Sequence, residues 1–475
     1  MRLSVRLLAA SALALSLAPP ALAQDAATIQ RAATIRDAAM SQNIALDYVT
    51  QLTTRFGARP AGSKSEQDAS AWAADYMRAQ GFQNVRIEQF PLVGWERGVE
   101  SASIVGDHPQ NLVVAALGHS PGTNGVIEAE VVRFDSLEAL NAAPAGSLAG
   151  KIAYVDAGQM VRMQDGSGYG PLSRIRGAGP AAAASKGAVA FLMRSAGSDE
   201  HRMPHTGTTR YVEGRVPLPG FALSAPDADQ LSRLIGLGAA PRVRLSSTAH
   251  TYETVSQNVI GEIRGRTHPD EIIVLGSHMD SWDLGTGAID DGAGGGITLA
   301  AAKAIAESGR RPARTIRVVL YGSEEVAQPT DTGNGGGAYL RNIGTAVEKH
   351  IIAGESDFGA DRIYALGLPP GAQTSDFARA AATVLYPLGV LPSPRPELHG
   401  GVDIGPLAGA GVPVFGLNQD GTRYFDLHHT ADDTLDKIDP KQLDQNVAAW
   451  AALVWLIADS DVDFRAMRPA AAAAH

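Results

Sequence analysis

Apolar positions recur at three- and four-residue spacing through residues 65–80: Ala69, Trp72, Ala73, Tyr76 and Met77. That period predicts a helix, with Gly81 as its stop. Residues 85–90 read as a strand that Pro91 ends. From about residue 121 to 249 the texture changes. Short strand-like runs (125–133, 151–156, 188–193 and 242–245) stand between Gly, Pro and Ser clusters, with an Ala-rich helix near 181–186 and a second helix over 227–237. This pattern predicts a small β-rich domain inserted into a larger one.

From Gln257 onward strands and helices alternate. Apolar runs at 272–276, 315–321, 351–354 and 412–417 predict four strands, with helices over 297–306 and around Tyr339. Such alternation implies an α/β fold: a mostly parallel or mixed sheet with helices on both faces. Asp439-Pro440 has the form of a helix start, and Leu443, Val447, Trp450, Val454 and Ile457 give that helix an apolar stripe for the core. The expected division is a leader at 1–23, a first domain part at 24–120, the insertion at 121–249, the second domain part at 250–465, and a disordered Ala-rich tail at 466–475. No fixed-period repeat is visible.

Composition narrows the chemistry. Of 475 residues, 45% are apolar and 19% charged, which excludes a disordered chain. Forty basic against 50 acidic side chains give a net charge of −10, so a nucleic-acid partner is not expected. There is no cysteine, which removes disulfides, thiol catalysis and thiolate metal sites and leaves His, Asp and Glu as metal donors. Arg2 and Arg6, the apolar run 7–18 and Ala21-Leu22-Ala23 have the form of a secretory signal peptide cleaved near Ala23. The run is shorter than the ~20 residues a membrane span needs. A periplasmic or secreted protein without a membrane anchor is expected.

In open α/β sheets ligands bind beyond the carboxyl ends of the strands. Here the first predicted strand is followed by His278 and Asp280, and its loop brings Asp290-Asp291-Gly292. The second leads to Glu324-Glu325, the third to Asp357, and the fourth to Tyr424, His428 and His429. Singly each is ordinary: a hydrogen-bonded histidine, a solvated Glu pair, an Asp-Asp-Gly turn. Together, at consecutive strand ends, they point to two divalent cations, most naturally zinc. Asp290 sits in the Gly-rich loop from which it can reach between the two ions and offset their repulsion. Adjacent glutamates allow one to bind metal while the other works as a base. Asp280, two residues after His278, is expected to fix the tautomer of its imidazole.

The stretches 276–283 and 287–292, Ser323-Glu324-Glu325, Glu355-Ser356-Asp357 and 428–434 resemble the di-zinc M28 metallopeptidases. Residues 203–207 extend the likeness into the insertion, which resembles a protease-associated domain. The resemblance implies that His278 and Asp357 hold one zinc, Glu325 and His429 the other, Asp290 bridges, and Glu324 is the general base and acid. The choices of Asp290 over Asp291 and of His429 over His428 rest on the family spacing. Tyr424 is a candidate oxyanion donor and Asp403 a candidate substrate contact. His205 is expected in an exposed or capped loop rather than at the site. The Gly-rich run 333–337 is expected to be a turn, because no Lys-Ser or Lys-Thr follows to make a phosphate loop. The implied activity is hydrolysis of dipeptides or short peptides with free termini, and the implied assembly a homodimer. The alternatives are a broader aminopeptidase of the same family and a non-catalytic, receptor-like relative that has lost its metals.

Overall fold

The computed structural model describes residues 25–326, 328–329 and 333–467. The leader and nearly all of the tail lie outside them; residues 466 and 467 close a 3-10 turn, Phe464–Met467, whose Phe464 is buried.

The larger part of the chain is built on a five-stranded sheet ordered Gln83–Glu96, His250–Ile263, Arg314–Tyr321, His268–His278, His350–Glu355. The first two pairings are antiparallel and the last two parallel. Strand alternation decides what each face meets. Ile273, Leu275, Ile316, Val318 and Leu320 pack with helices Ala45–Phe56, Ala293–Ala306 and Pro440–Ala458. Ile272, Val274, Val319 and Tyr321 point the other way, onto helix Gly335–Ile343 and the short helix Gly405–Gly409. Asp439 caps Pro440–Ala458 by accepting from the Lys441 amide, and every residue from Val447 to Ala458 is fully buried, so the predicted stripe is a whole helix sunk in the core.

Several local expectations need correction. Pro91 does not end its strand; it pairs with Val255 inside Gln83–Glu96. That strand is the sheet edge, where a missing amide can face away from the ladder. The run 333–337 is not a turn: Asn334 accepts from the Gly337 amide and caps a helix that opens on Gly335. The expected fourth parallel strand is only a single bridge between Ala353 and Val414. The strand proper, Gly416–Gln419, lies in a separate sheet beside Ile363–Gly367.

The second large sheet has eight strands. It takes in Glu100–Val105, Gln110–Leu112 and Val114–Ala116 as well as the strands after residue 121, so pairing begins about twenty residues earlier than the sequence texture suggests. Short strands carry little periodicity, which hides that boundary. Helix Tyr169–Ser185 covers one face of this sheet and Ala225–Gly236 the other, so it is more helical than a β-rich reading predicts.

Helix Lys64–Ala79 is tied to the central sheet by Glu66. Its buried carboxylate accepts from the Gly62 amide and the Ser256 hydroxyl. Burial, with the charge of Asp280 adding to it, pushes the Glu66 carboxyl from 4.5 to about 8. A folded value above the unfolded one means that stability is fully present below about pH 4.5 and is lost as pH rises toward about 8. The slope for one proton is at most about 1.4 kcal/mol per pH unit. Glu66→Gln removes this term, so its thermal midpoint is expected to fall less than that of the wild type between pH 5 and pH 8. Parallel profiles in a thermal-melt series would refute the assignment.

Candidate metal centre

Register brings the donors together. His278 lies opposite Tyr321, and Gly276 opposite Glu355, in the parallel strands, so three strands end on one edge. Beyond those ends stand His278, Glu324-Glu325 and Asp357. Asp290 arrives from the loop before helix Ala293–Ala306, and the Asp290–Asp291 peptide is cis. Asp291 turns back into the backbone, accepting from the Gly294 and His278 amides at 2.9 and 3.1 Å. Gly294 has to be glycine, because a Cβ there would collide with the Asp291 carboxylate and the Ser356 carbonyl. Asp290 is thereby left facing the imidazoles.

The donors form two sets that share Asp290. Asp290 Oδ1 and Asp357 Oδ1 lie 3.3 and 3.4 Å from His278 Nε2. Asp290 Oδ2 lies 3.3 Å from His429 Nε2, which is 2.8 Å from Glu325 Oε2. All five side chains are largely or fully buried. Among the described residues Asp290 Oδ2 and Glu325 Oε1 have no hydrogen-bond partner, although the His429 imidazole lies 3.3 Å from Asp290 Oδ2. Orphaned carboxylate oxygens at the meeting point of two imidazoles suit divalent cations, and the oxygen and nitrogen donors suit zinc.

The electrostatics agree. Burial raises the carboxyls of Glu324 and Glu325 well above the usual range, and the neighbouring carboxylates Asp357 and Asp290 add to it. Burial also raises Asp357. Asp290 goes the other way: burial opposes its charge, but His428, His278 and His429 together hold it well below the usual carboxylate range. For His278 burial disfavours the cation, yet Asp357, Asp280 and Asp290 override it and push its pKa up. The pocket is a place where negative charge is crowded and positive charge is wanted.

The surrounding contacts partly revise the expected roles. The imidazole of His278 is oriented by the Asp280 carbonyl, 2.9 Å from Nδ1, whereas the Asp280 carboxylate is 3.6 Å away. That carboxylate instead accepts the backbone amides of Glu324 and Glu325 at 3.0 and 3.2 Å, and so fixes the Glu-Glu pair. Tyr424 lines the cleft, stacks on Phe358 at 4.5 Å and donates its hydroxyl to Asp290 Oδ1 at 3.2 Å. Asp403 is fully buried away from the cleft. Its Oδ1 accepts from Asn334 Nδ2 and the Gly336 amide, because the start of helix Gly335–Ile343 needs an acceptor there. Its exposed neighbour Val402 lines the cleft in its place.

His205 is not in an exposed loop. It is buried, with Nε2 2.9 Å from His428 Nδ1, and comes from the second sheet's part of the chain. The adjacent Thr206 carbonyl lies 3.3 Å from His429 Nδ1, while the Thr206 amide donates to the His429 carbonyl. A donor at His429 Nδ1 leaves Nε2 free for a metal. Two further contacts escape sequence reading. Trp282 Nε1 donates to Glu325 Oε2 at 2.6 Å, and Arg176 lines the cleft. Trp282 stood within the recognised stretch 276–283; Arg176 carries no local signal at all.

The donor cluster, the family match and the relatives together define a metallopeptidase. The peptidase family M28 profile matches residues 258–454, and mouse carboxypeptidase Q is 34% identical over 429 residues, 88% of this chain and 87% of that protein. The chain belongs to peptidase family M28. Human carboxypeptidase Q is 32% identical over 430 residues, 89% of this chain and 86% of that protein. Among solved structures, a peptidase M28 precursor from Shewanella amazonensis SB2B superposes with a TM-score of 0.88 at 43% identity, over 93% of this chain and 98% of that one. BSAP, a zinc aminopeptidase from Bacillus subtilis, shares the fold with a TM-score of 0.63 at 17% identity, over 89% and 97% of the two chains.

Proposed function

We propose that this is an exported di-zinc exopeptidase that hydrolyses dipeptides or short peptides with free termini. The observation that carries the reading is Asp290, whose two oxygens each face a different imidazole-carboxylate set. Export rests on the leader-like residues 1–23, and among the described residues no helix is long and apolar enough to cross a membrane.

Bound at these donors, a pair of zinc ions supplies Lewis-acid polarisation of the scissile carbonyl and acidifies a water to near neutrality. The chain's own residues do the rest. Glu324 lines the cleft beside the donors, placed to take a proton and return it to the leaving amine. Asp280 holds the Glu324 backbone in place. Tyr424 carries a hydroxyl proton at the cleft wall, kept on by burial and by the Asp290 charge, where it can turn toward an oxyanion. Glu324 and Tyr424 line a cavity of about 610 Å³ together with Asp290, Glu325, Asp357 and His429.

A broader aminopeptidase is the second reading. It is favoured by a pocket adjoining Asp357 that is lined by Glu355, Glu397 and Asp165 and by no Lys or Arg among the described residues, an environment suited to a substrate ammonium. A panel decides: a free dipeptide, an aminoacyl-anilide and an N-blocked peptide. Preference for the dipeptide is expected. Best cleavage of the anilide selects the aminopeptidase, and best cleavage of the blocked peptide overturns both readings.

A further inference from the structure

We propose that the cavity beyond Asp357 receives a lysine or arginine side chain of the substrate's N-terminal residue, that Glu397 binds its charged tip, and that the site therefore selects peptides beginning with a basic residue. This rests on the peptidase reading above and specifies the substrate class of that same site.

The cavity has a volume of about 360 Å³ and opens into the metal cleft, because Asp357, Phe358 and Val402 line both. Glu397 lines the cavity and not the cleft, so the group that meets it has to be carried on a side chain. The substrate's α-amine, bonded to the carbon next to the scissile carbonyl, stays on the cleft side of that mouth. Phe358, Val402 and Leu417 offer apolar wall to a methylene stem.

Glu397 is built to hold a cation. Its amide donates to the Leu368 carbonyl, just past strand Ile363–Gly367. Its Oε1 accepts three consecutive backbone amides, those of Leu398, His399 and Gly400, at 3.1, 3.0 and 3.0 Å. The carboxylate is thereby fixed, while Oε2 accepts from nothing among the described residues. Two glycines make room for it. Gly367 and Gly416 pair across their strands, and Oε2 lies 3.4 and 2.9 Å from where their Cβ atoms would stand. Asn418 Oδ1 lies 3.2 Å from the same point above Gly416. Gln419, 3% exposed, also lines the cavity; its Nε2 donates to the Gly359 carbonyl and its Oε1 has no bonded partner among the described residues.

Three oxygens are thus presented with no cation to meet them. No Lys or Arg among the described residues lines the cavity, and Glu397 makes no ion pair there. Asp165 adds a second negative charge from the second sheet's part of the chain. Glu355 does not contribute in the same way, because its oxygens are taken by the Asp403 and Ile404 amides. A fixed carboxylate with one free oxygen, beside amide oxygens and at the end of an apolar wall, matches an ammonium or guanidinium on an aliphatic stem.

The test compares zinc-loaded wild type and Glu397→Gln on lysyl-alanine and norleucyl-alanine. These substrates share the α-amine and the stem and differ in the charged tip. The ratio of kcat/KM, lysyl over norleucyl, is expected to be about tenfold or more in the wild type, the worth of a hydrogen bond to a charged group. Gln keeps an oxygen for the three amides but loses the charge, so in Glu397→Gln the ratio is expected to fall toward one, chiefly through KM for the lysyl substrate. A wild-type ratio near one would overturn the proposal. An unchanged ratio in Glu397→Gln would overturn it too, since both substrates then suffer equally and Glu397 only caps its own loop. The wild type alone supplies a further arm: Nε-acetyl-lysyl-alanine is expected to behave like the norleucyl substrate, and parity with lysyl-alanine would show that length rather than charge is read.

Binding supplies a readout that does not need turnover. Calorimetry on the wild type is expected to show free lysine binding more tightly than norleucine, and equal affinities would count against the site. If no peptide is hydrolysed while that lysine preference persists, the peptidase reading fails and the cation pocket stands. If peptides are hydrolysed with no preference for a basic first residue, the pocket assignment alone fails.

Discussion

Glu324→Gln is expected to lower kcat by about 10³-fold, within the range for loss of a positioned general base, while zinc content and thermal stability stay close to wild type. Gln keeps the shape and the hydrogen-bonding amide but cannot carry a proton. Both glutamates line the cleft, but Glu325 is turned toward His429 and Trp282. The two adjacent residues therefore separate cleanly in a mutant pair. Glu325→Gln is expected to lose metal as well as activity, because Glu325 Oε2 is the oxygen 2.8 Å from His429 Nε2. Metal analysis beside steady-state kinetics reads the difference. Full turnover in Glu324→Gln would remove it from the proton-transfer role.

Asp290→Ala is the second large effect. Of the cleft carboxylates Asp290, Asp357, Glu324 and Glu325, Asp290 alone is held well below the usual range, by His428, His278 and His429 against its burial. Removing it leaves three imidazoles without their shared counter-charge and two cation positions without the anion between them. Activity is expected to disappear, and zinc retained after dialysis to fall below one ion per chain. The rise in thermal midpoint that zinc gives the wild type is expected to shrink to near nothing, since that rise reports binding to the folded state. Retention of two ions by Asp290→Ala would refute a bridging role.

Much of this site was legible because its residues follow strand ends, and strand ends in a parallel sheet share an edge. His278, Glu324-Glu325 and Asp357 could be placed together from apolar runs alone, and the register of the strands puts them there. The choice of Asp290 over its neighbour rested on the family spacing, and its physical reason lies in the backbone: Asp291 is taken up by the Gly294 and His278 amides, a local fold no periodicity reveals. Asp403 misleads for a related reason. In the sequence it stands in a Gly-rich loop and looks like a contact residue, but the helix after Asn334 needs a buried acceptor and takes its carboxylate.

The contributions of His205, Thr206 and Arg176 were hidden for another reason. They belong to the second sheet's part of the chain, and only docking of that part against the turn at His428-His429 makes them part of the centre. Tertiary contacts more than 200 residues apart leave no local trace, as with the 223 residues between His205 and His428. The late start assigned to the insertion has the same root, since Glu100–Val105 joins its sheet by pairing with Arg242–Ser247 far along the chain.

The account turns on two cations held by one carboxylate, and anomalous diffraction at the zinc absorption edge from crystals grown with zinc tests it most directly. The expected result is two peaks about 3.5–4 Å apart, one against His278 and Asp357, the other against Glu325 and His429, with Asp290 touching both. A single peak, or two that do not share Asp290, would contradict it.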